Sequence, residues 1–273
     1  LNPSDEAILL SPSWASYEPM ISIIGGVPVN VPVDRKNFHP DMDAIRSSIT
    51  DRTRMIMVNS PCNPTGAVYT REEIEEIVSI AIEHDLWIIS DEIYSRLIWN
   101  GCEHVSPATI EGGKERTIVI SGWSKTWAMT GMRVGFLAGP EQAVRAAVKC
   151  QANSASHIPT FMMEAARVAL DCDDHVERFS DAYRHRRNLI VQGLEDIPGL
   201  RIVNPEGAFY LFIDVTGTGM SDVQFADGAL KAGVQLIPAS LITGGEGFIR
   251  VSYAASEEDI KEGINRLRSW LLE

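Results

Sequence analysis

The sequence predicts an α/β protein: a mixed, mostly parallel sheet flanked by helices, then a smaller α/β C-terminal domain. Three observations point there. Short apolar runs of strand length alternate with segments of helical period. One helical segment carries a complete N-terminal signal. After about residue 140 the alternation gives way to a mixed order of helices and strands.

The strand candidates of the first part are Ala7–Leu10, Val27–Val33, Met55–Val58, Trp87–Ser90, Ile118–Ile120 and Gly135–Ala138. Thr70 with Glu73 three residues on is a capping box, and Ile74, Ile77, Val78 and Ala81 follow at helical spacing. This helix joins Met55–Val58 to Trp87–Ser90, a βαβ unit whose strands run parallel. Gln142–Lys149, Phe161–Asp171 and His175–Leu194 read as helices. Strands Arg201–Val203 and Phe209–Asp214, a helix at Ser221–Ala232, and strands near Val234–Ile237 and Gly247–Ser252 come next. A helix opened by Ser256 closes the chain, with Ile260, Ile264, Leu267 and Leu271 on one stripe. We divide the chain into a large domain over 1–173 and a small domain over 174–273.

Composition narrows the function. The 273 residues carry a net charge of −13 and are 45% hydrophobic, which excludes a disordered or fibrous chain. No apolar run approaches the roughly 20 residues of a membrane span. The acidic balance argues against nucleic acid as a partner. Cys62, Cys102, Cys150 and Cys172 form no CxxC pair, and the histidines have no ligand spacing, so neither a metal nor a disulfide framework is expected. Free thiols suit a reducing cytoplasm.

Several motifs have bland readings. Gly217 and Gly219 lack the third glycine of a dinucleotide fingerprint and read as a turn, as do Gly244 and Gly245. Arg184-His185-Arg186-Arg187 reads as a solvated helix face.

Four segments stand apart: Asn59-Ser-Pro-Cys-Asn63-Pro-Thr-Gly66, Ser90-Asp-Glu-Ile-Tyr94, Ser121-Gly-Trp-Ser-Lys125 running to Gly131-Met-Arg133-Val-Gly135, and Phe248-Ile-Arg250-Val-Ser-Tyr253. The first three each follow a predicted strand, and ligands of open α/β sheets sit at the carboxyl ends of strands. Asn63, Asp91, Tyr94 and Lys125 are therefore expected on one rim. A lysine with a lowered pKa forms an imine with an aldehyde. A carboxylate holds a protonated ring nitrogen, and a tyrosine and an asparagine bond a phenolate oxygen. One arginine suits a phosphate and another forks onto a carboxylate. Together these groups describe pyridoxal 5′-phosphate, although each residue alone also has a structural reading.

With these motifs the chain resembles the class I/II aminotransferases of PLP fold type I, near the aspartate aminotransferase subgroup, over essentially its whole length. The resemblance implies a seven-stranded mixed sheet and a role for each matching position. Lys125 is the lysine that holds the cofactor and moves the substrate proton, and Asp91 is the partner of the pyridine nitrogen. Tyr94 and Asn63 donate to the phenolate oxygen, and Arg133 binds the phosphate with Ser121 or Ser124. Trp14 stacks on the ring, and Arg250 grips the substrate carboxylate with Asn63. Cis peptides are implied before Pro12 and Pro64, Cys62 is a buried spectator, and Ser154, Ser156 and His157 face a partner subunit. The implied partners are an amino acid and a 2-oxo acid, in a homodimer. A PLP-dependent β-lyase and a non-catalytic effector domain are the alternatives. Family members carry about a hundred further N-terminal residues, including the loop whose N–H groups cradle the phosphate at a helix N-terminus. The chain begins Leu-Asn-Pro without an initiator Met, so we expect a fragment.

Overall fold

The computed structural model describes residues 1–99, 101–241 and 245–272. Gly244 of the expected Gly244-Gly245 turn lies outside them.

The first sheet has six strands among these residues: β1 (Glu6–Ser11), β2 (Val27–Pro32), β3 (Thr53–Asn59), β4 (Trp87–Asp91), β5 (Thr117–Gly122) and β6 (Gly135–Ala138). Their order is β2-β1-β3-β4-β5-β6. All pairings are parallel except the last, where β6 runs antiparallel to β5. The resemblance implied seven strands, and six are present here. Strand β1 is buried from Glu6 to Leu10, and its Ala7–Leu10 run is the continuous apolar pattern of a strand covered on both faces.

The capping box exists as read. Thr70 Oγ1 accepts from Glu73 N, while Glu73 Oε2 accepts from Thr70 N. It opens a helix over Arg71–Glu83 whose Ile74, Ile77, Val78, Ile80 and Ala81 are buried against the sheet. Two short helices escaped the sequence reading, α1 (Tyr17–Ser22) and α2 (Met42–Ser47); the capped helix is α3. Six residues hold too little periodicity to detect. Helix α4 (Trp123–Thr126), a single turn, was also missed; α5 (Glu141–Ser154) and α6 (Thr160–Ala169) were expected.

The remainder forms α7 (Asp173–Leu194), β7 (Arg201–Ile202), β8 (Tyr210–Asp214), α8 (Asp222–Lys231), β9 (Ile237–Pro238), β10 (Phe248–Ser252) and α9 (Glu257–Leu272). The second sheet has the order β7-β8-β10-β9 and is antiparallel throughout. The strand expected from Val234 begins only at Ile237. Helix α8 ends on Gly233 at φ +85°, and its cap takes Val234 N to Ala229 O and Gly233 N to Leu230 O. That double bond is a Schellman closure, which claims Val234 for the helix end. The Gly217–Gly219 turn is borne out, with Gly219 left-handed at φ +75°. The basic run lies on α7 as expected, but Arg187 is buried and donates to Asn188 Oδ1, so the face is not solvated throughout.

The two lobes interlock. Tyr94, Leu97 and Trp99 pack with Ile190, Leu194, Ile260 and Ile264, whereas Phe212 and Phe248 of the second sheet pack with Phe38 and Val58 of the first lobe. Among the described residues between β4 and β5, the crossing holds a 3-10 turn at Pro107–Thr109 as its one helical piece, and Ile98 bridges Gly207 on the way. The proposed 173/174 boundary falls within the first residues of α7.

Candidate active site

Strand register lines up the site. Asn59 pairs with Asp91, and Asp91 with Ile120, so β3, β4 and β5 end side by side. Asn59 then ties the rim together: its Nδ2 donates to the Asp91 carbonyl at 3.0 Å, and its Oδ1 accepts from Asn63 N at 2.9 Å. The Asn63–Gly66 turn is held from the other lobe, because Gly66 O accepts from Glu206 N and Gly207 N. Gly66 has φ +75°, and a Cβ there would lie 2.5 Å from Pro205 Cβ. The peptides before Pro12 and Pro64 are cis, as expected, and so is the one before Pro61.

A cavity of about 560 Å³ opens at this rim, within the size range of small-molecule sites. Trp14, Asn63, Asp91, Tyr94, Ser124, Lys125, Arg133 and Arg250 all line it. Of the nine residues singled out from sequence, only Ser121 does not; its hydroxyl donates to the Glu92 carbonyl at 3.2 Å. Tyr17, Asn59 and Tyr210 also line the cavity and were missed. Tyr17 lies three residues after Trp14, and Tyr210 lies in an apolar strand that reads as core. No local signal marks either as functional.

Asp91 is largely enclosed. Its Oδ2 accepts from the Tyr17 hydroxyl at 2.6 Å and its Oδ1 from Ile93 N at 3.1 Å. Burial nevertheless leaves its pKa raised above the ordinary value. Among the described residues it forms no salt bridge, so it is a buried carboxylate without a cation in contact. The adjacent Glu92 is used differently. It accepts from Ser90, Ser106 and His104, and these bonds outweigh its burial and hold its pKa down.

Lys125 sits in the single turn α4. Gly122 precedes that turn, and a Cβ there would come within 2.8 Å of the Val134 carbonyl. The Lys125 ammonium lies 5.4 Å from the Phe209 ring and 6.0 Å from the Tyr94 ring. Burial, then the positive charges of Arg133 and Arg250, lower its pKa. Arg133 adopts φ +54°, strained for a residue with a Cβ, and donates to Thr130 O. Arg250 donates to Asn63 Oδ1 at 3.1 Å, and its guanidinium lies 4.9 Å from the Tyr210 ring centroid. Trp14 is about 38% exposed and meets Tyr17 edge to face. Cys62 is buried, and burial raises its thiol pKa, as a spectator requires.

The fold and this cavity define a fold type I aminotransferase. The chain belongs to the aminotransferase class I and II family, which it matches over residues 1–267. It is 40% identical to "Aromatic-amino-acid aminotransferase 2" of Thermococcus litoralis, covering 100% of this chain and 72% of the relative. It is 38% identical to an aspartate aminotransferase of Pyrococcus abyssi, with the same coverage. The solved aspartate aminotransferase of Thermus thermophilus with maleate superposes with a TM-score of 0.94 at 38% identity, covering 99% of this chain and 71% of that one. All three are named aminotransferases, which favours neither the lyase nor the effector-domain alternative. Among the described residues no helix is long and apolar enough to cross a membrane.

Proposed function

We propose that this chain binds pyridoxal 5′-phosphate at Lys125 and transfers an amino group between an L-amino acid, aspartate-like or aromatic, and a 2-oxo acid such as 2-oxoglutarate. The observation that supports this most is the convergence of Lys125, Asp91, Tyr94, Asn63, Arg133 and Arg250 on one cavity. The donor set fits the cofactor group by group. Asp91, a buried carboxylate without a cation, suits a protonated pyridine nitrogen. Arg250 donates only, so the oxygen of Asn63 must face it, and Nδ2 is left to donate to the phenolate oxygen. Tyr94 is the second donor; burial and neighbouring Tyr210 raise its pKa, so it keeps its proton. Arg133 and Ser124 are assigned to the phosphate, and Trp14 to the ring face.

When bound, the cofactor supplies an electron sink for charge developing at the substrate Cα. Lys125 Nζ serves as the base that takes the Cα proton, a task its lowered pKa suits. Arg250 orients the substrate through its carboxylate. The same reading includes a homodimer and a cytoplasmic setting. The exposed apolar side chains Ile23, Phe161 and Val168 support the first, and four free cysteines agree with the second. Ser154 and His157 are exposed at the end of α5, as partner-facing residues would be in a single chain.

Titration with PLP tests the reading. The expected result is a visible absorbance that is lost in Lys125→Ala, bleaches with aspartate or an aromatic amino acid, and returns with 2-oxoglutarate. Absorbance unaffected by Lys125→Ala would refute it.

A further inference from the structure

Tyr210 touches both halves of the cavity. Its hydroxyl lies 3.0 Å from the Tyr94 hydroxyl, and both residues are buried. The Arg250 guanidinium rests 4.9 Å from its ring centroid, and Arg250 in turn donates to Asn63 Oδ1. Register explains the contact: Tyr210 pairs with Ser252 and Phe212 with Arg250, so Tyr210 and Arg250 are diagonal neighbours on one face.

We propose that Tyr210 is a positioning residue that couples the donors facing the cofactor to the arginine facing the substrate carboxylate. The inference rests on the functional reading above. A phenol has one proton. When the Tyr94 hydroxyl directs its hydrogen bond to the phenolate oxygen of the cofactor, the hydrogen between the two tyrosines must belong to Tyr210. Tyr210 then donates to Tyr94, which donates onward, and each bond polarises the next. The ring of Tyr210 meanwhile supports the Arg250 plane by a cation–π contact. Hydroxyl and ring thus act on different partners, and substitution separates them. The titratable groups facing Tyr94 are Asp91, Lys125, Tyr210 and Arg250.

The test uses the full chain loaded with PLP and maleate as the carboxylate probe. In Tyr210→Phe, the pH midpoint of the Lys125-dependent absorbance moves upward by about 0.5 unit, because the phenolate oxygen is less well stabilised. Maleate affinity stays within about twofold, since the ring remains. Tyr210→Leu shows the same shift and binds maleate about fivefold more weakly. Thermal midpoints monitor folding, and a merely structural role would lower them without this split. An unmoved midpoint in Tyr210→Phe, with normal wild-type absorbance, overturns the inference alone. A wild-type chain without Lys125-dependent absorbance overturns the functional reading and this inference together.

Discussion

The Tyr17 hydroxyl donates a 2.6 Å hydrogen bond to Asp91 Oδ2, joining α1 to the end of β4. Tyr17 is itself buried, and burial and the Asp91 charge push its pKa far up, so it remains a donor. Hydrogen bonds to charged groups are worth about 1.5–3 kcal/mol. Tyr17→Phe should therefore weaken PLP binding roughly tenfold. The defect should grow as pH falls, because a carboxyl already raised by burial rises further and loses its charge sooner. PLP titrations of both proteins at acidic and at neutral pH measure this.

Asn59 holds two backbone groups of the rim, the Asp91 carbonyl and the Asn63 N–H. In Asn59→Ala both lose this partner, the Asn63 N–H in a buried setting and the Asp91 carbonyl in a part-buried one, at a cost of about 2–4 kcal/mol. Urea denaturation without cofactor should show a lower midpoint at unchanged slope.

Gly122→Ala would press a methyl group against the Val134 carbonyl and Gly135 Cα, both backbone atoms unable to yield. The expected destabilisation is about 1–3 kcal/mol. Since α4 carries Lys125, the Lys125-dependent absorbance should fall more than a core substitution of equal thermal cost would make it. Comparing the two variants in one PLP titration checks this.

His39 is clasped between Glu206 and Glu73, and these two carboxylates raise its pKa to about 9. The unfolded value is about 6.5. The folded state therefore binds the proton more tightly, and the added stability is complete below about pH 6.5 and lost as pH rises toward 9. Between those limits the wild type should lose about 2 kcal/mol that His39→Gln does not. Thermal melts of both proteins across this window decide the matter.

Much of this molecule was readable from local pattern. The six strands of the first sheet are short apolar runs bounded by turn residues, so they were found within one or two residues. The Thr70–Glu73 box announced α3 because both hydrogen bonds form between neighbours in sequence. Short elements such as α1 were missed, since their stability comes from packing rather than from period.

The chemistry divides in the same way. Lys125, Asp91, Tyr94, Asn63, Arg133 and Arg250 lie in motifs that the sequence by itself determined as one expected set through the family resemblance, and all six line the cavity. Tyr17, Asn59 and Tyr210 act through partners 74, 32 and 116 residues away. A hydrogen bond across that much chain leaves no local signal. Only the tertiary structure decided that Ser124 reaches the cavity while Ser121 turns to Glu92, because the strand and turn geometry around Gly122 aims them apart.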